Sequence, residues 1–473
     1  MQAADLLVLL PIMLPAIAAM AVLLVGSFVP RHGLMAAIAT AGLVGGLAAV
    51  VALRPRAPLV SMGLLAFDGR AVFFWLLLLG AALAVVALAV SFLRTRLVRG
   101  EGHHREFYVL LLLATTGALT LAAAVHVAVM FVGLELLSLS LFGLLAYEAE
   151  RERALEAGLK YLVLATLSSG FLLLGLALLY TATGSLLLAP LPAAEPWSPY
   201  LLGGVVMVVV GLGFKMSLVP LHMWTPDVYE GAAAPVSAFI ASVSKIAAAA
   251  WLLRFLETTE AWSLAPVALV LAVLAGASML VGNLLALAQE NIKRLLAYSS
   301  ISHLGYLSLP LVAGGPLAGE AVAFYATAYA LMLLAAFGVV ALLSEGTPGH
   351  EVVQVRVYSG LFWRRPVPAA VLAVALVSLA GIPLTAGFVA KFYVFAAGVQ
   401  AALWWLLAAL VIGSSVGLYF YLRVLVTLFA TRAAGRDRPA ASLAGGVLVA
   451  LFAAIVWLGV LPAPLMQLAG GAP

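Results

Sequence analysis

The sequence of 473 residues contains no cysteine. Disulfide bonds, thiolate metal ligands, cysteine-ligated iron–sulfur clusters and cysteine nucleophiles are therefore excluded from this chain. Nucleotide-binding motifs are absent as well, because no GxxxxGK[ST] loop occurs and no GxGxxG pattern follows a strand. Any redox reaction or nucleotide hydrolysis that drives the protein must take place in another chain.

Charged residues are scarce. They make up 9% of the chain, whereas hydrophobic residues make up 65% and the mean hydropathy is +1.19. Soluble domains carry about 25% charged residues, so a water-soluble globular fold is excluded. The net charge of +5 is no evidence for nucleic-acid binding unless the basic residues cluster on one surface.

Long apolar segments account for most of the sequence. A helix that crosses a bilayer needs about 20 apolar residues, and fourteen segments meet this requirement, which predicts an all-α polytopic membrane protein. The first segment is too long and uniform for a signal peptide. The predicted spans are residues 5–29, 34–53, 71–93, 107–125, 127–147, 157–181, 200–227, 235–256, 264–288, 295–314, 319–344, 367–398, 403–431 and 441–466.

The basic residues of the loops are distributed unequally between the two sides of the membrane. Arg54, Arg56, Arg70 and Arg254 fall on the side of the N-terminus, and the loops of the opposite side carry most of the remaining arginines. Cytoplasmic loops are enriched in arginine and lysine. The opposite side is therefore predicted to be the cytoplasm, and both termini are predicted to face outward.

Lysine is distributed differently from arginine. Four of the five lysines fall inside the apolar segments, whereas Lys293 is placed in a loop. A charged side chain at the centre of a membrane helix costs about 2.5–3.5 kcal/mol, so several of them need a compensating role. Lysine, unlike arginine, can release its proton when it is desolvated. A proton relay is therefore predicted at Lys160, Lys215, Lys245 and Lys391.

The depth of a lysine decides between a relay and a simpler role. Lys245 lies about ten residues from the start of its span, or about 15 Å at 1.5 Å per residue, which is too deep for its ammonium group to reach the surface. Lys160 lies only a few residues into its span. Its ammonium group could instead reach the cytoplasmic surface.

Other titratable residues lie in the same segments. Glu135 is a carboxylate deep within an apolar span, where it would either share a charge with a lysine or form a structural ion pair. His303 lies mid-helix between hydroxyl residues, a pattern shared by relay histidines and by hydrogen-bonded core histidines. His222, Asp227 and Glu230 lie at the cytoplasmic end of the seventh span and are predicted to shape an entry region.

Two of the spans are interrupted. Pro220 lies within the seventh and Pro383 within the twelfth, and proline removes a backbone donor and disrupts a helix. In lipid such breaks are tolerated only inside protein or beside water, and paired interrupted helices point to inverted repeats around a polar site. Because the interrupted spans are five apart, Lys215 and Lys391 are predicted to be related by the repeat.

This spacing predicts four parts of the chain. Helices 4–8 and helices 9–13 would form two five-helix units, and the odd number of helices inverts the second relative to the first. The predicted parts are a three-helix segment at residues 1–104, the first repeat at 105–256, the inverted second repeat at 264–431 and a C-terminal fourteenth helix at 432–473.

Several runs resemble one known family. The run GFKMSLVPLHMWTPDVYEGAAAPVSAFIASVSK is similar to the proton-conducting module that antiporter-like subunits of complex I share with Mrp-type cation/proton antiporters. The runs GLELLSLSLFGLLAY, LEAGLKYLVLATLSSGFLLLG and NIKRLLAYSSISHLGYL are most similar to the branch known as subunit N of bacterial NADH-quinone oxidoreductases. The resemblance covers about residues 105–430. The turn AAAP at 232–235 departs from the family pattern, since a less alanine-rich turn is usual there.

The resemblance implies roles for individual positions. Glu135 would be modulated by Lys160, Lys215 would take protons from the cytoplasm, Lys245 would relay them and Lys391 would release them outward. His303 matches a histidine of the same axis. The implied relay therefore comprises Glu135, Lys160, Lys215, Lys245, His303 and Lys391.

The resemblance also implies an enzyme complex. In it NADH, FMN, iron–sulfur clusters and a quinone are bound by other subunits, and this chain holds no cofactor and no metal. The implied partners are neighbouring antiporter-like and small membrane subunits in a bacterial inner membrane, and no nucleic acid is involved. The alternatives are a subunit of a Mrp-type antiporter or membrane-bound hydrogenase, a stand-alone solute transporter, and a scaffold whose buried charges only hold helices together.

Overall fold

The computed structural model describes residues 3–29, 31–96, 104–191, 197–345, 351–430 and 443–470. Almost all of these residues are helical, which confirms the predicted all-α class. The first half contains α1 (Ala3–Phe28), α2 (His32–Leu53), α3 (Gly69–Arg96), α4 (His104–Ala123), α5 (Val127–Leu145), α6 (Glu152–Thr183), α7 (Pro199–Met216), α8 (Trp224–Gly231), α9 (Ala234–Phe239) and α10 (Lys245–Thr259).

The second half continues in the same way. A π-helical turn, Ile240–Ser244, joins α9 to α10. The remaining helices are α11 (Ala265–Ala286), α12 (Ile292–Ala313), α13 (Pro316–Leu343), α14 (Leu361–Arg364), α15 (Pro366–Ala380), α16 (Ala386–Gln400), α17 (Trp404–Phe429), α18 (Leu443–Val460) and α19 (Ala463–Gly470).

Thirteen helices of the described ranges are long and apolar enough to cross a membrane. The predicted twelfth span is divided between the shorter apolar helices α15 and α16. The count of fourteen crossings stays a prediction, because helix length alone does not show whether this pair crosses once. The start of the predicted C-terminal part lies outside the described residues, and the division into four parts also stays a prediction.

A short antiparallel hairpin lies between α2 and α3. Strand β1 (Leu59–Ser61) pairs with β2 (Leu65–Phe67), and Leu59 is opposite Phe67. The turn has positive φ at Met62 and Gly63. The hairpin was not predicted from the sequence, since strands of three residues are too short to show an alternating pattern.

Glycines allow two helix pairs to pack closely. A Cβ atom on Gly117 of α4 would lie 2.6 Å from the backbone nitrogen of Leu137 on α5, and one on Gly305 of α12 would lie 2.8 Å from the Ala275 carbonyl oxygen on α11. Small residues permit such close approach in membranes, where van der Waals packing drives helix association. The two pairs occupy corresponding places in the two predicted repeats, although the inverted symmetry itself stays a prediction.

Both predicted interruptions are present. Helix α7 ends at Met216, Ser217 has φ +62°, and α8 begins only at Trp224. Helix α15 ends at Ala380, and Gly381 follows with φ +83°.

The two lysines nevertheless lie on different sides of their breaks. Lys215 is in the last turn before the first break, whereas Lys391 is in α16, after the second break. The expectation that Lys215 and Lys391 are related by the repeat is therefore wrong in this respect: the lysines do not occupy equivalent positions along the two interrupted helices.

The most enclosed helices carry Lys245 and His303 of the predicted relay. In the span 234–259 the most apolar stretch is completely buried inside the molecule. The most apolar stretch of α12 is almost completely buried. The peripheral helices α1, α17 and α18 bury less than half of theirs and expose apolar side chains instead. Lys245 and His303 therefore lie at the centre of the molecule, away from lipid.

Candidate functional site

Lys245 is the most enclosed lysine of the predicted relay. It is fully buried, and its Nζ donates a hydrogen bond of 2.6 Å to Oγ of Ser300. The same Nζ lies 5.1 Å from the ring centre of Tyr229, within cation–π range. Lys245 follows the π-helical turn directly. Such turns insert one residue into a helix and are frequent at functional sites.

A line of polar groups continues from Ser300 to His303. Ser300 Oγ lies 2.5 Å from the hydroxyl of Tyr329, whose ring stacks on the imidazole of His303 with 6.0 Å between centres. Nδ1 of His303 lies 2.7 Å from the hydroxyl of Tyr325, and Nε2 lies 3.3 Å from that of Tyr421. Hydroxyls and imidazoles both donate and accept hydrogen bonds, so each of these groups can hold or redirect a proton. Tyr329 and His303 contact each other through their rings and not through a hydrogen bond.

Lys391 lies on the far side of His303. Its Nζ donates to the Ala380 carbonyl oxygen at 2.8 Å and to Ser414 Oγ at 2.6 Å. Ala380 is the last residue of α15, so the helix break supplies a carbonyl without a helical partner. The same Nζ lies 5.3 Å from the ring centre of Tyr306, which packs edge-on against the ring of His303.

Lys215 is buried in the last turn of α7. Its Nζ donates to Ser138 Oγ at 2.5 Å and to the Tyr161 hydroxyl at 2.9 Å. A helix C-terminus carries partial negative charge, which favours a cation at this place. Two further helices, α5 and α6, thus hold the amine by neutral oxygen acceptors.

Glu135 lies one turn before Ser138 on α5. Its carboxylate accepts a hydrogen bond from Ser169 of α6, and none of the ion pairs among the described residues includes it. It is half-buried, and the neighbouring Val132 and Leu139 on the same face are 62% and 59% exposed. Glu135 therefore lies at the edge of the molecule.

Lys160 and Glu135 do not contact each other in the described structure, and the modulation of Glu135 by Lys160 stays a prediction. Lys160 Nζ forms ion pairs with Glu156 at 2.6 Å and with Asp227 at 2.7 Å, and its side chain is 41% exposed. The position near the start of α6 explains this, since the long side chain reaches the surface. The next residue, Tyr161, reaches the buried lysine of α7 instead.

The predicted entry residues form part of a charged network. Arg294 lies 2.7 Å from Asp227 and 2.9 Å from Glu230, and Arg153 lies 3.0 Å from Glu230. The network joins α6, α8 and the first turn of α12. His222 lies apart from it, in the turn between α7 and α8.

Trp224 separates Lys215 from Lys245. Its ring packs against Tyr161 with 5.3 Å between centres and lies 5.9 Å from Lys245 Nζ. Its indole N–H donates to the Phe214 carbonyl oxygen at 3.0 Å. An indole has a donor and no acceptor, so it cannot pass a proton. Within the described ranges no side-chain hydrogen bonds connect the two lysines, and transfer between them needs water.

Sequence reasoning missed several residues of this site. The hydroxyl groups of Tyr161, Tyr325, Tyr329 and Tyr421 are fully or almost fully buried, as is Ser300. A usable signal was available for Ser300, which lies one turn before His303 in the run YSSISH. The tyrosines gave none, since isolated aromatics in apolar helices are ordinary core residues.

The placement of Lys293 in a loop is wrong. It is the second residue of α12, fully buried, and its Nζ lies 2.6 Å from Glu351 Oε2. A boundary error of three residues at the helix start accounts for the difference.

The buried groups of the site are suited to acid–base chemistry. Over the described residues, no group of three or more His, Asp or Glu side chains is placed to hold a metal ion. Amines, hydroxyls and an imidazole line the enclosed helices instead, and all of these gain or lose protons or redirect hydrogen bonds.

Comparisons with known proteins identify the family. A family-wide sequence profile described as "NADH:quinone oxidoreductase/Mrp antiporter, TM" matches residues 124–417. NADH-quinone oxidoreductase subunit N of Chromohalobacter salexigens is 48% identical over 98% of both chains. Subunit N of Ectopseudomonas mendocina is 45% identical over 98% of this chain and 96% of its own.

Solved structures share the fold. A chain of respiratory complex I from Thermus thermophilus with bound aureothin has a TM-score of 0.83 and 36% identity, over 97% of this chain and 99% of that one. A chain of the Mrp complex from Dietzia has a TM-score of 0.86 at 22% identity, over 99% and 97%, and shows the fold alone. This chain belongs to the subunit N family of NADH-quinone oxidoreductases.

Proposed function

We propose that the chain is the proton-translocating membrane subunit of a respiratory NADH-quinone oxidoreductase, and that protons move through Lys215, Lys245, His303 and Lys391. The observation that carries the proposal is the contact series from Lys245 Nζ through Ser300 and Tyr329 to the imidazole of His303. It places titratable groups in the most enclosed helices of a membrane protein. Charge there is costly without a function.

Both halves of the path would need water. On one side, Lys215 is separated from Lys245 by the Trp224 ring. On the other side, hydroxyls and His303 lie towards Lys391, but Tyr329 and His303, and His303 and Lys391, are linked by ring contacts and not by hydrogen bonds. We assign uptake to the Lys215 side, which adjoins the charged network, and release to Lys391. The arginine-rich loops support uptake from the cytoplasm and an outward position of both termini in a bacterial inner membrane.

Neighbouring subunits would complete the path at both ends. Glu135 is half-buried beside exposed apolar residues of α5, and Lys391 is half-buried beside Phe392, which is 62% exposed. A charge at a lipid-facing surface is expensive. We therefore propose that other membrane subunits, antiporter-like or small, cover both faces.

The energy would come from elsewhere in the complex. Moving one proton against 100 mV needs about 2.3 kcal/mol. NADH, FMN, iron–sulfur clusters and a quinone are proposed to be held by other subunits. Electron transfer there would change the charge near Glu135, and electrostatic coupling would pass the change along the buried amines.

Substitution of Lys245 by alanine tests the proposal. In inside-out membrane vesicles, NADH-driven proton uptake should be lost while the amount of assembled complex, measured by NADH oxidation with an artificial electron acceptor, is unchanged. Lys245→Arg is the matched variant: it keeps the charge but cannot release a proton, and it should also fail to pump. Full pumping by an assembled Lys245→Ala complex would contradict the relay.

A further inference from the structure

A second buried ion pair lies outside the relay. Lys293 Nζ and Glu351 Oε2 are 2.6 Å apart, and both side chains are almost completely enclosed. Lys293 belongs to the first turn of α12, and Glu351 belongs to the segment that precedes α14. That segment is fixed to α12, because the Val353 carbonyl oxygen accepts from Ile292 N–H at 2.8 Å.

The pair holds the turn between α8 and α9 from both sides. Lys293 Nζ donates to the Ala232 carbonyl oxygen at 2.5 Å, and Glu351 Oε1 accepts from the Ala234 N–H at 2.7 Å. Ala232 follows the last residue of α8 as its cap, and Ala234 begins α9. Free carbonyls and N–H groups at helix ends need partners, and here one ion pair from distant sequence supplies a partner to each helix.

The turn fixes the surroundings of Lys245. Helix α8, on one side, carries Trp224 and Tyr229, whose rings lie 5.9 Å and 5.1 Å from Lys245 Nζ. Helix α9, on the other side, runs through the π-helical turn directly into Lys245. A shift of the turn would therefore move the amine and both rings that contact it.

We infer that Lys293 and Glu351 are positioning residues for proton transfer at Lys245, because their ion pair clamps the α8–α9 turn. The inference rests on the proposed relay role of Lys245. It also accounts for the cost of the pair: a buried ion pair adds little net stability compared with apolar packing, whereas its two backbone contacts specify a geometry that apolar side chains would not.

Exchanging the two charges of the Lys293–Glu351 pair tests whether its contacts with the backbone at Ala232 and Ala234 matter. In a Lys293→Glu/Glu351→Lys double variant the attraction is kept, but a carboxylate faces the Ala232 carbonyl oxygen and an ammonium group faces the Ala234 N–H. If attraction alone mattered, pumping would be restored relative to the single variants. If the backbone contacts matter, the double variant should pump no faster than the Lys293→Glu or the Glu351→Lys single variant.

The single variant Glu351→Gln should lower the pumping rate per assembled complex about tenfold, the order expected for a small misplacement of a reacting group. The matched control is Asp68→Asn. Asp68 forms an ion pair with Arg254 near the other end of α10, with 2.6 Å and 2.8 Å between donors and acceptors. This control should reduce the amount of assembled complex and leave the pumping rate per complex unchanged.

A double-mutant cycle with Ser300→Ala decides whether Glu351 acts through Lys245. Residues that act on one group give non-additive effects, whereas independent residues give additive free energies. The pumping rate of the Glu351→Gln/Ser300→Ala double variant should therefore fall by a smaller factor than the product of the two single-variant factors. The pumping rate of the Asp68→Asn/Ser300→Ala double variant should fall by that product.

Three results would overturn the inference: normal pumping by Glu351→Gln, multiplicative losses in its cycle, or rescue by charge reversal. Each is distinct from failure of the proposed function, which would appear as pumping by Lys245→Ala. If Lys245→Ala is inactive while Glu351→Gln pumps normally, the relay stands and the positioning role does not.

Discussion

Gly381 lies directly against Lys391. A Cβ atom on Gly381 would be 2.8 Å from Cδ and 3.0 Å from Nζ of the lysine. The glycine has φ +83° and directly follows the last residue of α15, so its lack of a side chain allows both the turn and the close approach of the amine. The position of Lys391 thus depends on the helix break as well as on its own hydrogen bonds.

Gly381→Ala should displace the Lys391 amine from Ala380 and lower the rate of proton pumping at least severalfold. The control is Gly184→Ala, at the end of α6. Gly184 has φ +68° and no atom within 4 Å of its Cβ position. Both variants carry backbone strain of about 1–2 kcal/mol, but only Gly381→Ala adds the clash. Equal pumping by the two assembled variants would contradict this role for the glycine.

Tyr329→Phe should slow proton transfer between Lys245 and His303. The substitution removes the hydroxyl 2.5 Å from Ser300 Oγ and keeps the ring that stacks on the imidazole. Pumping rates in vesicles, normalised to assembled complex, measure the effect. Tyr419→Phe, at a 63% exposed tyrosine of α17, is the control and should pump normally. An unchanged rate for Tyr329→Phe would show that protons bypass this hydroxyl.

Lys160→Met should have a much smaller effect than Lys245→Ala. Lys160 is partly exposed, and Asp227 keeps its contact with Arg294 when the lysine is removed. Exposed ion pairs contribute about 0–1 kcal/mol, so assembly and pumping should change less than about fivefold. A loss as complete as that of Lys245→Ala would place Lys160 in the relay itself.

The ion pair of Asp68 and Arg254 should make stability depend on pH. Burial raises the pKa of Asp68, but the hydrogen bonds and charge of Arg254 outweigh this and hold the pKa below its usual value. A carboxyl group with a lowered folded-state pKa stabilises the fold above its unfolded-state pKa of about 3.9. That contribution is lost as the pH falls through the folded-state value.

Thermal unfolding of the purified complex checks this prediction. At pH 7, Asp68→Asn should lower the unfolding temperature of the membrane part. The difference from the natural sequence should narrow once the pH falls below about 4, where Asp68 of the unfolded chain begins to take up a proton while that of the folded protein stays ionised. A difference that stays constant from pH 7 to pH 3 would show that the charge of Asp68 contributes nothing.

The sequence predicted those features that are marked by residues rare in an apolar background, such as proline and lysine. It predicted the membrane fold, the two helix breaks and the buried position of Lys245, because each departs from the pattern around it. It failed at Lys293, where a shift of the helix start by three residues turned a buried amine into a loop residue. At Lys160 the sequence left a relay role and a surface role open, and the exposed side chain agrees with the surface role that its shallow position had suggested.

The tyrosines show a different limit. Tyr329 and Tyr421 reach His303 from α13 and α17, and nothing in either helix distinguishes them from tyrosines that only fill space. Their role depends on which helices become neighbours. A single sequence does not specify this, because the apolar faces of these helices are nearly uniform.

The indole of Trp224 bears on the passive leakage of protons through the protein. A continuous hydrogen-bonded chain from one membrane surface to the other would let protons flow back passively and dissipate the membrane potential. The Trp224 ring lies between Lys215 and Lys245, and its single N–H donates to the Phe214 carbonyl oxygen. The ring therefore interrupts such a chain at that point. In the proposed relay, protons would cross this gap only when water enters it, and the tryptophan ring would limit passive proton leakage.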